Sequence, residues 1–145
     1  MIETRKHWMA VLAKAAPEAL AERMAALDLP SDVTVLRAPE IGAVMVRGRM
    51  GGVGAVFNLG ETTVTRCSVR LADGTVGHGY VSGRDRDHAR NAALCDALLQ
   101  GPRAAEVRTA VIEPLEQAQA QRRAALAAKA NGTRVEFFTM ARGEP

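Results

Sequence analysis

The chain has 145 residues, of which 48% are hydrophobic and 24% charged, a composition typical of one soluble globular domain and unlike that of disordered, collagen-like or coiled-coil proteins. The formal net charge of +3 is too small to indicate a nucleic-acid-binding protein. Alanine occurs 27 times and aromatic residues only five times, so we expect a core of small side chains that a partner surface completes.

Cysteine spacing and hydropathy bear on location. Cys67 and Cys95 lie far apart and form no Cys-x-x-Cys pair, which favours reduced thiols in a reducing compartment. No apolar run is long enough to span a bilayer, and the first residues lack the apolar segment of a signal peptide. We therefore expect a cytoplasmic protein with a single domain over residues 1–145 and no membrane or nucleic-acid partner.

The first thirty residues predict a helical hairpin. Thr4 is a suitable N-cap for the first helix, and Pro17 suits the first turn of the second. Each helix has an apolar stripe at helical spacing, formed by Trp8, Val11, Leu12 and Ala15 in the first and by Leu20, Met24 and Leu27 in the second. Both stripes are expected to pack on the sheet that follows.

The middle of the chain predicts an antiparallel sheet of about four to five strands. Strands are expected over residues 33–36, 43–49, 62–71 and 75–82, with a last one over residues 134–140. Asp73-Gly74 predicts a two-residue type I′ turn that pairs Leu71 with Val76 and Cys67 with Tyr80. In that register His78 and Tyr80 face the core, while Arg66, Arg70 and Gly77 lie on an open basic face.

Helices are predicted after this hairpin. One runs from Asp85 to Gln100 with Asp85 or Asp87 as its cap, and its small-residue stripe consists of Ala89, Ala93 and Ala97. A second covers residues 104–130, is interrupted at Pro114 and stops at Asn131-Gly132. The predicted fold class is therefore α+β, with a helical hairpin before the antiparallel sheet and helices after it.

Candidate reacting groups are few. The glycine run from Gly48 to Gly54 matches neither phosphate-loop pattern and precedes a strand, so it favours a turn or interface loop. His88 lies in the first turn of a helix, where Asp85 could orient its ring as an acid–base pair; a solvated, capped helix start is the alternative. The sequence shows no metal-ligand spacing and no nucleophile motif.

Several segments, in collinear order along nearly the whole chain, resemble the PhnG family. They are Arg5-Lys6-His7-Trp8-Met9, Arg49-Met50-Gly51-Gly52, Val69-Arg70-Leu71-x-Asp73-Gly74-Thr75, Gly83-Arg84-Asp85 with His88-Ala89, and Arg134-Val135-Glu136-Phe137-Phe138-Thr139-Met140. The resemblance implies a subunit of the bacterial carbon–phosphorus lyase core complex. Its partners would be PhnH, PhnI and PhnJ, with PhnL needed for activity.

The same resemblance implies the reaction. The complex would transfer the ribose triphosphate of ATP to methylphosphonate and release adenine. This chain would hold no cofactor; an iron–sulfur cluster and S-adenosylmethionine are expected on a partner subunit.

Within such an assembly we expect a non-catalytic subunit. Its expected contacts to partners or anions are Arg49, Met50, Gly51, Gly52, Gly54, Arg66, Arg70, Arg84, Phe137, Phe138, Met140 and Arg142. Two alternatives stay open: Asp85 and His88 contribute acid–base groups in trans, or the chain is a free-standing anion- or RNA-binding module.

Overall fold

The computed structural model describes residues 2–49 and 56–142. Its helices are α1 (Ile2–Lys14), α2 (Pro17–Ala25), α3 (Arg86–Leu99), α4 (Ala104–Val107) and α5 (Glu113–Arg142), and a π-helical segment (Arg108–Ile112) joins the last two. The strands are β1 (Thr34–Arg49), β2 (Val56–Arg70) and β3 (Val76–Ser82), which form an antiparallel sheet in the order β1-β2-β3. The α+β class is confirmed, but the described sheet has three strands, not four to five.

The core lies between one face of the sheet and the helices. The predicted stripes of the helical hairpin are buried there except for Leu27, which follows the end of α2 and is half-buried. Leu12 is 1% exposed and Leu20 is 0% exposed. Helix α1 begins at Ile2, two residues before the expected cap Thr4. Helix α3 was predicted closely: Asp85 is its N-cap and Gln100 its C-cap. None of the described helices is long and apolar enough to cross a membrane.

The β2–β3 hairpin differs from its predicted register by one residue. Arg70 pairs with Val76, and Leu71 and Thr75 bracket a three-residue loop in which Gly74 has φ +92°. The Gly74 N–H donates to the Leu71 carbonyl at 3.0 Å, as in a turn followed by a bulge glycine. Asp-Gly therefore serves a longer loop than the two-residue turn that we predicted.

This shift reverses the two faces of β3. Gly77, Gly79 and Val81 are buried against the core, whereas His78 and Tyr80 lie on the open face. A Cβ added at Gly79 would overlap the backbone of Ala89 and Ala93 in α3. The two glycines thus allow α3 to approach the sheet closely, and the alanine stripe on α3 serves the same contact.

The two strands predicted at residues 33–36 and 43–49 are parts of the continuous strand β1. Strand β3 pairs with β2 only as far as Val64↔Ser82, while β1 and β2 continue to Arg49↔Val56. The segments 43–49 and 56–63 therefore form a two-stranded extension, called here the ribbon, that has no third strand among the described residues. Met45 on the ribbon is 48% exposed.

The predicted last strand is wrong. Helix α5 continues through Asn131 and Gly132, the expected stop, to Arg142. A strand needs a hydrogen-bonded neighbour, and none of the described strands pairs with residues 134–140, whereas a continuing helix bonds its own backbone. The predicted irregularity at Pro114 is confirmed, because the π-helical segment ends immediately before α5.

Candidate functional site

The open face of the sheet carries basic side chains beside a depression. Alternation along β2 puts Arg66, Ser68 and Arg70 on this face, since Cys67 and Val69 are buried on the other. The pairing then sets the neighbours of each residue across the sheet. The result is a set of transverse rows, each with one residue from every strand.

The middle row consists of Arg37, Ser68 and His78. Arg37 pairs with Ser68 and Ser68 with His78 in the strand register. The Ser68 hydroxyl and the His78 Nδ1 atom are 2.9 Å apart and share a hydrogen bond. This bond fixes the orientation of the imidazole; when Ser68 donates, Nε2 carries the ring proton and is a donor.

The next row consists of Glu40, Arg66 and Tyr80. Arg37 Nη1 donates to Glu40 Oε2 at 3.4 Å, a long contact between two side chains that are 51% and 59% exposed. Arg66 forms no ion pair with any residue of the described segments. Tyr80 is 44% exposed, so its phenol is available to a ligand.

These two rows line a shallow depression of about 310 Å³, which we call the sheet groove. Its walls are formed by Arg37, Arg66, Cys67, Ser68, His78, Gly79 and Tyr80. Two guanidinium groups, a phenol and an imidazole thus converge on one open space. Such a set binds oxyanions, because a planar guanidinium donates two parallel hydrogen bonds to phosphate or carboxylate oxygens.

The other predicted contact residues are distributed over the molecule. Arg70 is exposed on the same sheet face, in the row that follows His78, and Arg84 is exposed between β3 and α3. Arg49 is the last residue of β1, while Phe137, Phe138, Met140 and Arg142 belong to α5 rather than to a strand. Met50, Gly51, Gly52 and Gly54 lie outside the described residues.

His88 and Asp85 do not form the acid–base pair that the sequence left open, and the capped helix start is the one observed, although His88 is buried and not solvated. The Asp85 carboxylate accepts the backbone N–H of His88 at 2.9 Å, so it caps α3 instead of orienting the ring. The His88 ring is only 2% exposed, and its Nε2 bonds the Leu12 carbonyl oxygen at 2.8 Å. His88 is therefore the buried histidine of the two considered, and His78 is the accessible one.

A buried carboxylate links the site to the core. Asp96 is fully buried, and its Oδ1 accepts from Trp8 Nε1 at 2.8 Å. Its Oδ2 accepts from Arg5 Nη2 and from the backbone N–H of His78, each at 2.8 Å. The hydrogen bond that Arg5 donates to Asp96 raises the pKa of the Arg5 guanidinium. Asp96 thus anchors β3 at His78, a role that the sequence did not reveal.

Both thiols are buried and free. Burial raises the pKa of the Cys95 thiol from 9.0 to about 12, and it raises the pKa of Cys67 as well. A protonated thiol is a poor metal ligand and nucleophile. Within residues 2–49 and 56–142, no group of three or more His, Cys, Asp or Glu side chains could hold a metal ion.

Sequence reasoning missed Arg37, and it assigned His78 and Tyr80 to the core. One signal could have corrected this assignment. Gly77 and Gly79 lie on one face of β3, and Ala89, Ala93 and Ala97, four residues apart, lie on one face of α3, so these two faces of small residues can pack closely together. Pairing the two small-residue stripes turns His78 and Tyr80 outward.

Comparison with known proteins gives a consistent result. The family model described as "Phosphonate metabolism protein PhnG" matches residues 3–143. A curated relative from Rhizobium meliloti (strain 1021) is 45% identical over an alignment of 147 residues. This alignment covers 99% of this chain and 92% of the relative. That relative is named "Alpha-D-ribose 1-methylphosphonate 5-triphosphate synthase subunit PhnG".

Proposed function

The chain belongs to the PhnG family of phosphonate metabolism proteins, and on that basis we propose that it is a non-catalytic, positioning subunit of a multi-subunit synthase. The complex would transfer the ribose triphosphate of ATP to methylphosphonate and release adenine. The name of the 45% identical relative, which describes a subunit of such a synthase, supports this proposal.

One structural observation carries the subunit role, namely the ribbon. Its paired strands extend beyond the end of β3 at Val64↔Ser82 without a third described strand, and residues 43–45 and 60–63 are exposed or half-buried. An isolated two-stranded hairpin is marginally stable in water, so three strands or a packed neighbour are normally needed. Partner subunits would provide this neighbour and cover the exposed apolar side chain of Met45.

The far part of α5 supports the same role. Residues 120–132 are all exposed, and Leu126 among them is 62% exposed. A helix with little buried surface gains its stability from contacts that the chain does not provide itself. We infer that α5 and the ribbon are the two surfaces that enter the assembly.

The proposed partners are PhnI, PhnJ and PhnH, with PhnL required for activity, in the cytoplasm. The iron–sulfur cluster and S-adenosylmethionine would belong to a partner subunit. Cluster ligands are thiolates, whereas burial favours the protonated thiol at Cys95. The proposed role for this chain is therefore structural, with ATP as a substrate of the complex.

Co-expression tests the proposal. The full-length chain is produced with the other subunits, and adenine release from ATP and methylphosphonate is measured with and without it. We expect a stable complex and a release rate that depends on the chain. A monomer that does not join the complex, or equal adenine release without the chain, would refute the proposal.

A matched pair of variants tests the ribbon itself. Met45→Lys places a charge on the ribbon, and Leu36→Lys places the same charge on β1 outside the ribbon at nearly equal exposure, since Met45 is 48% and Leu36 47% exposed. We expect Met45→Lys to reduce co-purification of the partners and Leu36→Lys to leave it unchanged. Equal co-purification of both variants would exclude the ribbon as the contact.

A further inference from the structure

We propose that the sheet groove binds the polyphosphate group of a nucleotide through Arg37, Arg66, His78 and Tyr80. The identity of the ligand rests on the proposed function, because the synthase reaction uses a triphosphate ester. The existence of an oxyanion site rests on the groove alone. The argument has three parts: charge, donor geometry and rigidity.

The charge of the groove is positive and poorly neutralised. Arg66 and Arg70 form no ion pair within the described part of the chain, and Arg37 has only the 3.4 Å contact to Glu40. Exposed pairs of that kind contribute little energy and are easily exchanged for a better acceptor. An incoming polyphosphate would therefore find guanidinium groups whose hydrogen-bonding capacity is largely unused.

The donors are arranged across neighbouring strands. Arg37 and His78 flank Ser68 in one row, and Arg66 and Tyr80 are neighbours in the next. Facing residues in an antiparallel sheet are roughly 5 Å apart and successive rows on one face roughly 7 Å apart. This spacing lets donors from two rows contact successive phosphoryl groups. The volume of about 310 Å³ is at the small end of ordinary ligand sites.

The groove lies on the three-stranded part of the sheet, where Arg37 is flanked by two register shifts in β1. All three strands pair there, while the ribbon has only two. The backbone of His78 is fixed from behind by the buried Asp96 carboxylate, and its ring is fixed by Ser68. Donors that are held before the ligand arrives lose little conformational entropy on binding.

A carboxylate-rich protein segment is the competing occupant. Arginine and tyrosine are frequent in protein interfaces and in oxyanion sites alike, so the size of the groove carries the choice between the two occupants. A volume of about 310 Å³ fits the small end of ligand sites and favours a small, highly charged ligand. The two occupants also give different results in the test below.

Binding is measured by calorimetry with sodium tripolyphosphate, using the full-length chain within its co-expressed complex. The variants are Arg37→Gln and Arg66→Gln, and the control is Arg23→Gln, which removes the same charge from an exposed position on α2. Losing a charged hydrogen bond raises the dissociation constant by about tenfold. We expect that increase for both groove variants and less than twofold for the control.

The kinetic counterpart is a higher KM for ATP in the two groove variants with little change in kcat, since the contact is made before and during the reaction. Tripolyphosphate binding within twofold of wild type in both groove variants would overturn the proposal. Loss of partner co-purification in these variants, with tripolyphosphate affinity unchanged, would also overturn it and assign the groove to a protein carboxylate.

The subunit role and the polyphosphate site can each be refuted without refuting the other. If the chain assembles and adenine release depends on it, but Arg66→Gln binds tripolyphosphate normally, the sheet groove is refuted and the subunit role stands. If the chain ignores its partners yet binds tripolyphosphate through Arg66, tested on the chain alone, the subunit role is refuted and the groove stands.

Discussion

Gly77 of β3 lies so close to Ala97 of α3 that a Cβ atom on the glycine would be 2.7 Å from the Cβ of the alanine and 2.6 Å from its amide nitrogen. Real Cβ atoms do not approach other atoms so closely, and here one of the two contacts is with backbone, which cannot rotate away. The sheet and α3 are therefore in direct backbone contact at this point. Any side chain at residue 77 must push them apart.

We therefore predict that Gly77→Ala destabilises the protein by about 1–3 kcal/mol, the usual cost of overpacking a core. Gly42→Ala is the control, because no atom lies within 4 Å of a Cβ at Gly42. There the alanine restricts the unfolded chain and should be neutral or slightly stabilising. Urea denaturation measures both. Equal midpoints for the two variants would contradict the close contact.

Replacing the buried carboxylate should be the most damaging polar change. Asp96→Ala leaves the Trp8 indole N–H and the His78 backbone N–H without their acceptor, and it removes the partner of Arg5. We expect a loss of about 3–5 kcal/mol in the free energy of unfolding. Thermal or urea unfolding of the full-length chain measures it.

The exposed pair between Arg103 and Glu106 provides the comparison for Asp96. Glu106→Gln breaks this pair at the surface, where water replaces the lost contact, so we expect no measurable change in stability. If Asp96→Ala were tolerated as well as Glu106→Gln, the buried carboxylate would have no anchoring role.

The raised pKa of Cys95 predicts that the free energy of unfolding falls at alkaline pH. Its pKa is raised to about 12 in the folded protein from 9.0, so above pH 9 the unfolded chain loses this proton while the folded chain keeps it. Its stabilising contribution is thus complete below pH 9 and is lost as the pH rises towards 12. The expected slope is about 1.4 kcal/mol per pH unit.

Comparison with Cys95→Ala isolates this effect from other groups that titrate in the alkaline range. The stability of the wild type minus that of the variant should fall as the pH is raised from 9 to 10.5. A difference that stays constant over this range would show that the thiol ionises in the folded state. Thiol labelling should likewise need unfolding in the wild type.

His88 is expected to act in folding and not in turnover. His88→Ala removes a buried ring and leaves the Leu12 carbonyl without its donor, which should cost about 2–4 kcal/mol. Adenine release per assembled complex should stay within about twofold of wild type, since the ring bonds backbone. A decrease of roughly 10²–10⁴ in the intact complex would identify His88 as an acid–base group.

The helices were predictable because their apolar residues repeat at helical spacing and their ends have clear caps. The stripe of α1 at Trp8 and Leu12 is buried as expected, and Asp85 caps α3. The register of the β2–β3 hairpin could not be predicted to within one residue, because Asp-Gly fits both a two-residue turn and the three-residue loop that forms. That single residue decides whether His78 faces the core or the solvent.

The strand preference of the residues in segment 134–140 led to a wrong prediction of its secondary structure. The segment from Arg134 to Met140 is rich in residues favoured in strands, but extending α5 needs no new nucleus and no partner strand. For the candidate site, the open face at Arg66 and Arg70 was predicted from alternation in β2. Arg37 was missed because its position depends on irregular pairing in β1.

The π-helical segment Arg108–Ile112 determines which face of α5 is turned towards the rest of the protein. One inserted residue in a helix rotates the following turns by about 100°. In the resulting orientation of α5, Gln119 Nε2 donates to the Val11 carbonyl at 2.8 Å and Glu116 contacts His7, both in α1. Deleting a single residue from this segment would rotate the thirty residues of α5 about the helix axis and turn a different face of the helix towards α1.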